Sequence, residues 1–244
     1  MKMIYLTGDT HGEVSRFVKI HREFGLGKGD ALVVAGDFGC IFGLGARDEE
    51  KLDALSCLPY TILFLDGNHE CFPKLYDYPE EMWQGGRAHR IRPNLLHLAR
   101  GQVFELEGLS VFTMGGGYSI DVALRLPGVS WWPQEMPSEA EYAEAWANLQ
   151  RHDNRVDILI SHAAPEETME RFIQMGEISH RFLQEARLNG FLEEVRRKVA
   201  HRHYYFGHMH LDRELWRNQT AVFTAVYNLA TDERCTEGEH KNDI

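Results

Sequence analysis

Asp9 and His11 stand two residues apart directly after the short apolar run MIYLT, so if the extended geometry persists one carboxylate and one imidazole leave the same face. Asp37 follows a second apolar run, Asn68 and His69 follow a third, and His162 follows a fourth. His208 and His210 repeat the two-residue spacing inside GHMH. Oxygen and imidazole donors without thiolate are the ligand set of Mn, Fe, Zn and related divalent ions such as Ni and Co. Each position alone is weak evidence, because a single buried histidine is usually a hydrogen-bonded core residue and Asp-Gly or Gly-Asn pairs are ordinary turn signals. The joint pattern of strand, turn and Asp, Asn or His, repeated along one chain, is what points to a metal centre.

The elements that must carry these residues are legible from apolar periodicity. Met3 to Thr7, Ala31 to Ala35 and Tyr60 to Leu65 read as buried strands that end in GDTHG, GDFG and DGNHE. Glu13 to Phe24 repeats apolar residues at helical spacing, and Asp48 to Leu55 is a weaker helix. This βαβαβ order implies a parallel or mixed sheet, with the site at the carboxyl ends of its strands. Residues 95–114 carry short β-rich runs broken at Arg100-Gly101 and Glu107-Gly108, as antiparallel strands of a second sheet would. Ser138 to Leu149 reads as a helix opened by a Ser138/Glu141 capping box. Val156 to Ile160 returns as a strand, helices broken near Gly176 and at Asn189-Gly190 occupy 166–200, and HYYF, RELW and AVFTAVYN close the fold as strands. Residues 1–230 are expected to form a single domain, and 231–244 a polar, flexible tail.

The chain has 244 residues and a formal net charge of −11, which disfavours a polyanionic nucleic-acid partner. No stretch has the apolar length of a membrane span, and MKMIYLTGDTHG leaves no room for a signal-peptide core, so a cytoplasmic place is expected. Cys40, Cys57, Cys71 and Cys235 show neither CxxC spacing nor the density of a disulfide scaffold.

As an ordered set, GDTHG, GDFG, GNHE, SH and GHMH resemble the calcineurin-like metallophosphoesterase superfamily over residues 4–230. The resemblance implies an α/β fold, a four-layer αββα sandwich of two mixed β-sheets flanked by helices. It also implies two divalent ions, Mn foremost. Carried over by motif, Asp9, His11 and His210 bind one ion, Asn68, His162 and His208 the other, and Asp37 bridges them. A bridging hydroxide attacks phosphorus, and His69 assists the leaving group. The substrate is a phosphate monoester or a small phosphodiester.

The sequence departs from the serine/threonine protein phosphatases that share GNHE. Their second motif continues as GDxxDRG, whereas this chain reads GDFGCIFG, so Cys40 replaces the Asp that orients the catalytic histidine and the phosphate-binding Arg is missing. Glu70 or Asp66 is left to orient His69, against surface or turn roles for both. Residues 114–135, MGGGYSIDVALRLPGVSWWPQE, resemble an insertion of small bacterial metallophosphoesterases. There Arg125 could clamp phosphate and Trp131 and Trp132 could stack on a base or line a pocket, against a core or homo-oligomer interface role for the tryptophans. The cationic groups Arg87, His89, Arg90, Arg92 and Arg196, Arg197, Lys198 read as solvated faces. The competing classes are a non-catalytic scaffold of the same fold, which would tend to lose His69 or a ligand, and a nuclease, which the acidic balance disfavours.

Overall fold

The computed structural model describes residues 2–43, 45–179 and 182–235. The first stretch runs β1 (Ile4–Thr7), α1 (Val14–Phe24), β2 (Ala31–Val34), α2 (Ala46–Ser56), β3 (Thr61–Phe64) and a short α3 (Phe72–Tyr76). It continues through β4 (Glu80–Trp83), β5 (Gly86–Arg92), β6 (Leu95–Leu98), β7 (Gln102–Leu106) and β8 (Leu109–Met114). The second stretch runs α4 (Glu139–Arg151), β9 (Ile158–Ser161), α5 (Glu166–Gln174), α6 (Ala186–Lys198) and β10 (His203–Phe206). It closes with β11 (Arg213–Leu215), β12 (Gln219–Ala221), β13 (Val226–Asn228) and β14 (Glu233–Arg234).

Both sheets are mixed. The first has the order β14-β13-β1-β2-β3-β6-β5-β4, with β1, β2, β3 and β6 parallel. The second has the order β11-β12-β10-β9-β8-β7, with β8, β9, β10 and β12 parallel. Side-chain alternation along the strands sets the layers. Leu32 and Val34 pack against Phe17 and Ile20 of α1 and Leu52 and Leu55 of α2, while Val33 joins Val111, Ile158 and Ile160 between the sheets. On the far side Leu159 and Phe206 meet Tyr142, Phe172 and Leu192 of α4, α5 and α6. The result is the four-layer αββα sandwich.

Several local expectations hold and several need correction. The Ser138/Glu141 capping box forms, and β7 and β8 pair antiparallel in the second sheet. The expected break at Asn189-Gly190 is absent, because α6 runs through it and the Asn189 amide donates to Ala164 O at 2.9 Å instead of competing with the helix. AVFTAVYN is two strands in different sheets, separated where Asp212 accepts from the backbone of Phe223, Thr224 and Ala225. Within the expected tail, Glu233–Arg234 pair with β13 as β14, while 236–244 lie outside the described residues. The Arg87, Arg90 and Arg92 side chains are not a free basic face, since each meets a carboxylate, of Glu80 and Glu144, Glu81, or Glu49 and Asp53. Arg196 is likewise buried against Glu193 and Glu167. Among the described residues no helix is long and apolar enough to cross a membrane.

Candidate metal centre

The turns after β1, β2, β3, β9 and β10 meet where the carboxyl ends of the parallel strands of both sheets adjoin. Asp9, His11, Asp37 and His210 each offer one ligand atom there, all within 4.8 Å of one another. His11 Nε2 and His210 Nε2 lie 3.0 Å apart, and His210 Nε2 lies 3.1 Å from Asp9 Oδ2. Asp9 Oδ2 is buried yet accepts no well-directed hydrogen bond, which is costly without a cation. Burial alone would raise the Asp9 pKa, but His210 and His162 beside it and the His208 backbone N–H hold it down at about 2.

Asp37 connects this group to a second one. Its Oδ1 accepts from the His69 backbone N–H at 2.9 Å and lies 3.4 Å from His162 Nε2, while its Oδ2 lies 3.9 Å from His11 Nδ1. His162 Nδ1 sits 2.9 Å from Ala35 O, a pure acceptor, so this nitrogen carries the proton and a neutral ring presents only a lone pair at Nε2. Asn68 Oδ1 is 3.3 Å from the same Nε2, because the Asn68 amide donates to Ser119 Oγ, which donates in turn to Glu135. Three acceptors thus converge with no donor among them, an arrangement that suits a divalent cation.

His208 completes the set from the other sheet. Its backbone N–H donates to Asp9 Oδ1 at 3.0 Å, and its Nε2 lies 3.2 Å from Glu185 Oε1, which leaves Nδ1 as the available ligand atom. Burial works against the His208 cation, but Glu185 raises its pKa to about 9, and burial of Glu185 is outweighed by His208, which holds that carboxyl at about 2.

The backbone stores strain to make these turns. His11, Asp37, His208 and His210 all have positive φ, at 46°, 48°, 65° and 52°. The left-handed region costs non-glycine residues free energy and persists only where the surroundings enforce it. Two glycines let the turns close. A Cβ on Gly36, whose φ is +93°, would fall 2.1 Å from His162 Nδ1, and one on Gly67 would fall 2.1 Å from Asp37 Oδ1.

His69 stands at the rim, with Nε2 4.0 Å from Asp37 Oδ2 and 3.0 Å from Arg125 Nη2. A guanidinium only donates, so His69 Nε2 accepts and a neutral ring carries its proton on Nδ1. Burial lowers the His69 pKa despite Asp37, and the Arg125 charge adds to that fall. Of the two roles weighed for Glu70 and Asp66, Glu70 takes the turn role and neither carboxylate is bonded to the His69 ring. Glu70 is buried and accepts from Gly67 N and Gly39 N, clamping the two turns together. Asp66 is buried in a pair with Arg100 and His97. Cys40 supplies no charge, since burial pushes its thiol up to about 12.

Of the three side chains singled out in 114–135, Arg125 reaches the site. It lines a cavity of about 560 Å³ with Asp37, Asn68, His69, His208 and His210. Trp131 and Trp132 do not line that cavity, contrary to the pocket-lining expectation. Trp132 is buried in the core beside α1 and α2 and meets Phe42 edge-on, and Phe42 packs on His69. Sequence reasoning missed Glu185, the Ser119–Glu135 pair and Arg16, which donates to Asp9 O at 2.6 Å and also to Thr7 Oγ1 and Phe223 O. No periodicity or motif marks any of them.

No curated protein sequence matches the chain. A solved structure, the phosphopantetheinyl hydrolase from Mycobacterium tuberculosis, aligns at a TM-score of 0.46 and 15% identity over 91% of this chain and 88% of that one. The family model for calcineurin-like phosphoesterases matches residues 2–212, from before β1 to just past His210. Its members hold a dinuclear divalent metal centre, and the chain belongs to the calcineurin-like phosphoesterase family as a metal-dependent phosphoesterase.

Proposed function

We propose that the protein hydrolyses phosphate monoesters or small phosphodiesters, with Asp9, His11 and His210 holding one divalent ion, Asn68, His162 and His208 a second, and Asp37 shared between them. The observation that carries this reading is the position of Asp37, whose two oxygens face the two donor groups separately, His162 and Asn68 on one side and His11 on the other. The all-oxygen and imidazole donor set suits Mn, Fe, Co, Ni or Zn, with Mn first in our reading. Two such ions, when bound, acidify water at the site and neutralise phosphate oxygens.

The chain's own residues supply the rest. Asp37 and Asp9 contribute two negative charges to seven ligands, so the loaded site stays net positive and attracts an anionic ester. Arg125 is placed to donate to a phosphate oxygen, a better acceptor than the imidazole nitrogen it now meets. Transfer of that guanidinium to phosphate frees His69 Nε2 to take up a proton from solvent, and the ring so protonated faces the leaving oxygen and stabilises or protonates it.

Activity on p-nitrophenyl phosphate and bis-p-nitrophenyl phosphate is expected with added Mn, to vanish on chelation, and to fall more than about a hundredfold in Asp37→Ala. Equal rates in chelated and loaded protein would overturn the reading.

A further inference from the structure

The cavity that Arg125 and His69 share is not built like a site for a second anion. Its far wall is apolar: Tyr118, Ile120, Met169, Ile178, Phe182 and Met209. Tyr118 and Phe182 face each other with ring centroids 5.6 Å apart, a tilted aromatic pair on opposite segments. The apolar character continues outward along the segment that carries Arg125, where Ile120, Leu124, Leu126 and Val129 are all more than half exposed. Leu183, next to Phe182, is 80% exposed. Exposed apolar side chains gathered on the segments that line one cavity mark a binding surface and not ordinary scatter.

The charges lining the cavity point the same way. Among its described lining residues Arg125 is the one lysine or arginine, and its guanidinium is engaged by Asp121 at 2.7 Å, by His69 and by Ser130 O. Asp121 and Glu185 also line the wall. Among the described lining residues, a second phosphate or a carboxylate on the leaving group would meet Asp121, paired with Arg125, and Glu185, paired with His208, and no further lysine or arginine. An apolar body would bury against methionine, isoleucine and aromatic surface, and methionines adapt to its shape.

We infer that the cavity selects phosphoesters whose leaving group is uncharged and apolar, aryl or alkyl, with Phe182, Tyr118 and Ile120 as its specificity-determining residues. This inference rests on the phosphoesterase reading for the placement of the phosphate and specifies the remainder of the substrate.

The test separates binding from turnover by using non-hydrolysable phosphonates. Calorimetry on the Mn-loaded protein compares benzylphosphonate with its 4-ethyl, 4-butyl and 4-carboxy derivatives, and with butyl-, hexyl- and octylphosphonate. Kd is expected to tighten about three- to fourfold per added methylene that becomes buried. The 4-carboxy compound is expected to bind at least tenfold more weakly than the 4-ethyl compound. In Phe182→Ala, and in the surface variant Ile120→Ala, the gain per methylene is expected to fall below twofold. A gradient confined to the benzyl series identifies a flat aromatic slot, and one shared by both series a channel for a flexible chain. A Kd independent of chain length, tightest binding of the carboxylate, or no binding at millimolar concentration would each overturn the inference. Hydrolysis of the matching 4-alkylphenyl phosphates is measured in parallel. Absent turnover with an intact binding gradient would refute the hydrolase reading and leave the apolar cavity standing.

Discussion

Arg100→Met removes the arginine cation from a deeply buried ion pair with Asp66. Arg100 Nε and Nη2 donate to Asp66 Oδ2 at 2.8 and 2.5 Å, and the two side chains are 2% and 0% exposed. The guanidinium also donates to Gln134 O and Glu135 O and lies over the Phe72 ring. Burial by itself would raise the Asp66 pKa, but the Arg100 charge and the His97 hydrogen bond at 3.0 Å hold it well below the usual carboxylate range. Methionine fills most of the volume and leaves the Asp66 carboxylate in a dry site with His97 as its remaining side-chain donor. Breaking a buried pair from one side costs about 3–5 kcal/mol. At about 2–4 °C per kcal/mol for a chain of this size, Tm is expected to fall by roughly 6–20 °C. Urea and thermal unfolding are to be compared under chelating conditions, so that bound metal does not shift the result. Asp66→Asn combined with Arg100→Met is expected to recover a large part of the loss, because no charge is then left alone. A loss under about 1 kcal/mol in Arg100→Met, or a double variant as unstable as the sum of the singles, would refute the reasoning.

Three further outcomes follow from the site and its surroundings. Asp37→Asn keeps a residue that tolerates left-handed backbone and removes one of the converging anions. Its metal-free Tm is expected to match or exceed that of the unsubstituted protein, while the metal-induced rise, about 2.7 kcal/mol at a hundredfold excess over Kd, disappears in a thermal-shift titration. Arg125→Ala is expected to lower kcat/KM for aryl phosphates about ten- to a hundredfold through loss of charge-assisted hydrogen bonds of about 1.5–3 kcal/mol, and an unchanged value would remove Arg125 from the site. His89, buried against His97 and Tyr76, has its pKa lowered from 6.5 to about 4, first by burial and then by the His97 charge. The unfolded chain therefore takes up a proton that the folded one resists, so stability is full above pH 6.5 and declines as pH falls toward 4. His89→Phe, which keeps the stacking, is expected to flatten that decline in unfolding experiments between pH 7 and 4.5.

The strands and their terminal motifs were legible because buried parallel strands are short apolar runs that stop abruptly at glycine. Asp9, Asp37, Asn68, His69, His162 and His208 each fall within a few residues of such a stop, and the structure brings them together. The supporting residues were not legible, because their partners are distant in sequence and carry no periodic signal. Glu185 reaches His208 from the turn before α6, and Glu135 acts on Asn68 only through Ser119. For the tryptophans the sequence left pocket and core roles both open, since an aromatic residue in a loop looks the same whether it meets solvent or core, and Trp132 takes the core role. Asn189-Gly190 misled because the Asn189 side chain finds a carbonyl across the helix packing and leaves α6 intact.

The turns of the centre are drawn from both sheets, β1, β2 and β3 on one side and β9 and β10 on the other, which places a constraint on the order of events during synthesis. Asp9, His11 and Asp37 leave the ribosome early, but His208 and His210 follow only about 200 residues later. At about 5–20 residues per second, roughly 10–40 s separate the first ligand from the last. Until β8 and β9 have been made, the first three strands present a partial donor set with no second sheet to cover it. On the proposed ligand assignment the two ions can be seated together only once the sheets have docked, so a nascent chain stalled before His210, or one whose second sheet fails to pack, would carry the early motifs without the centre.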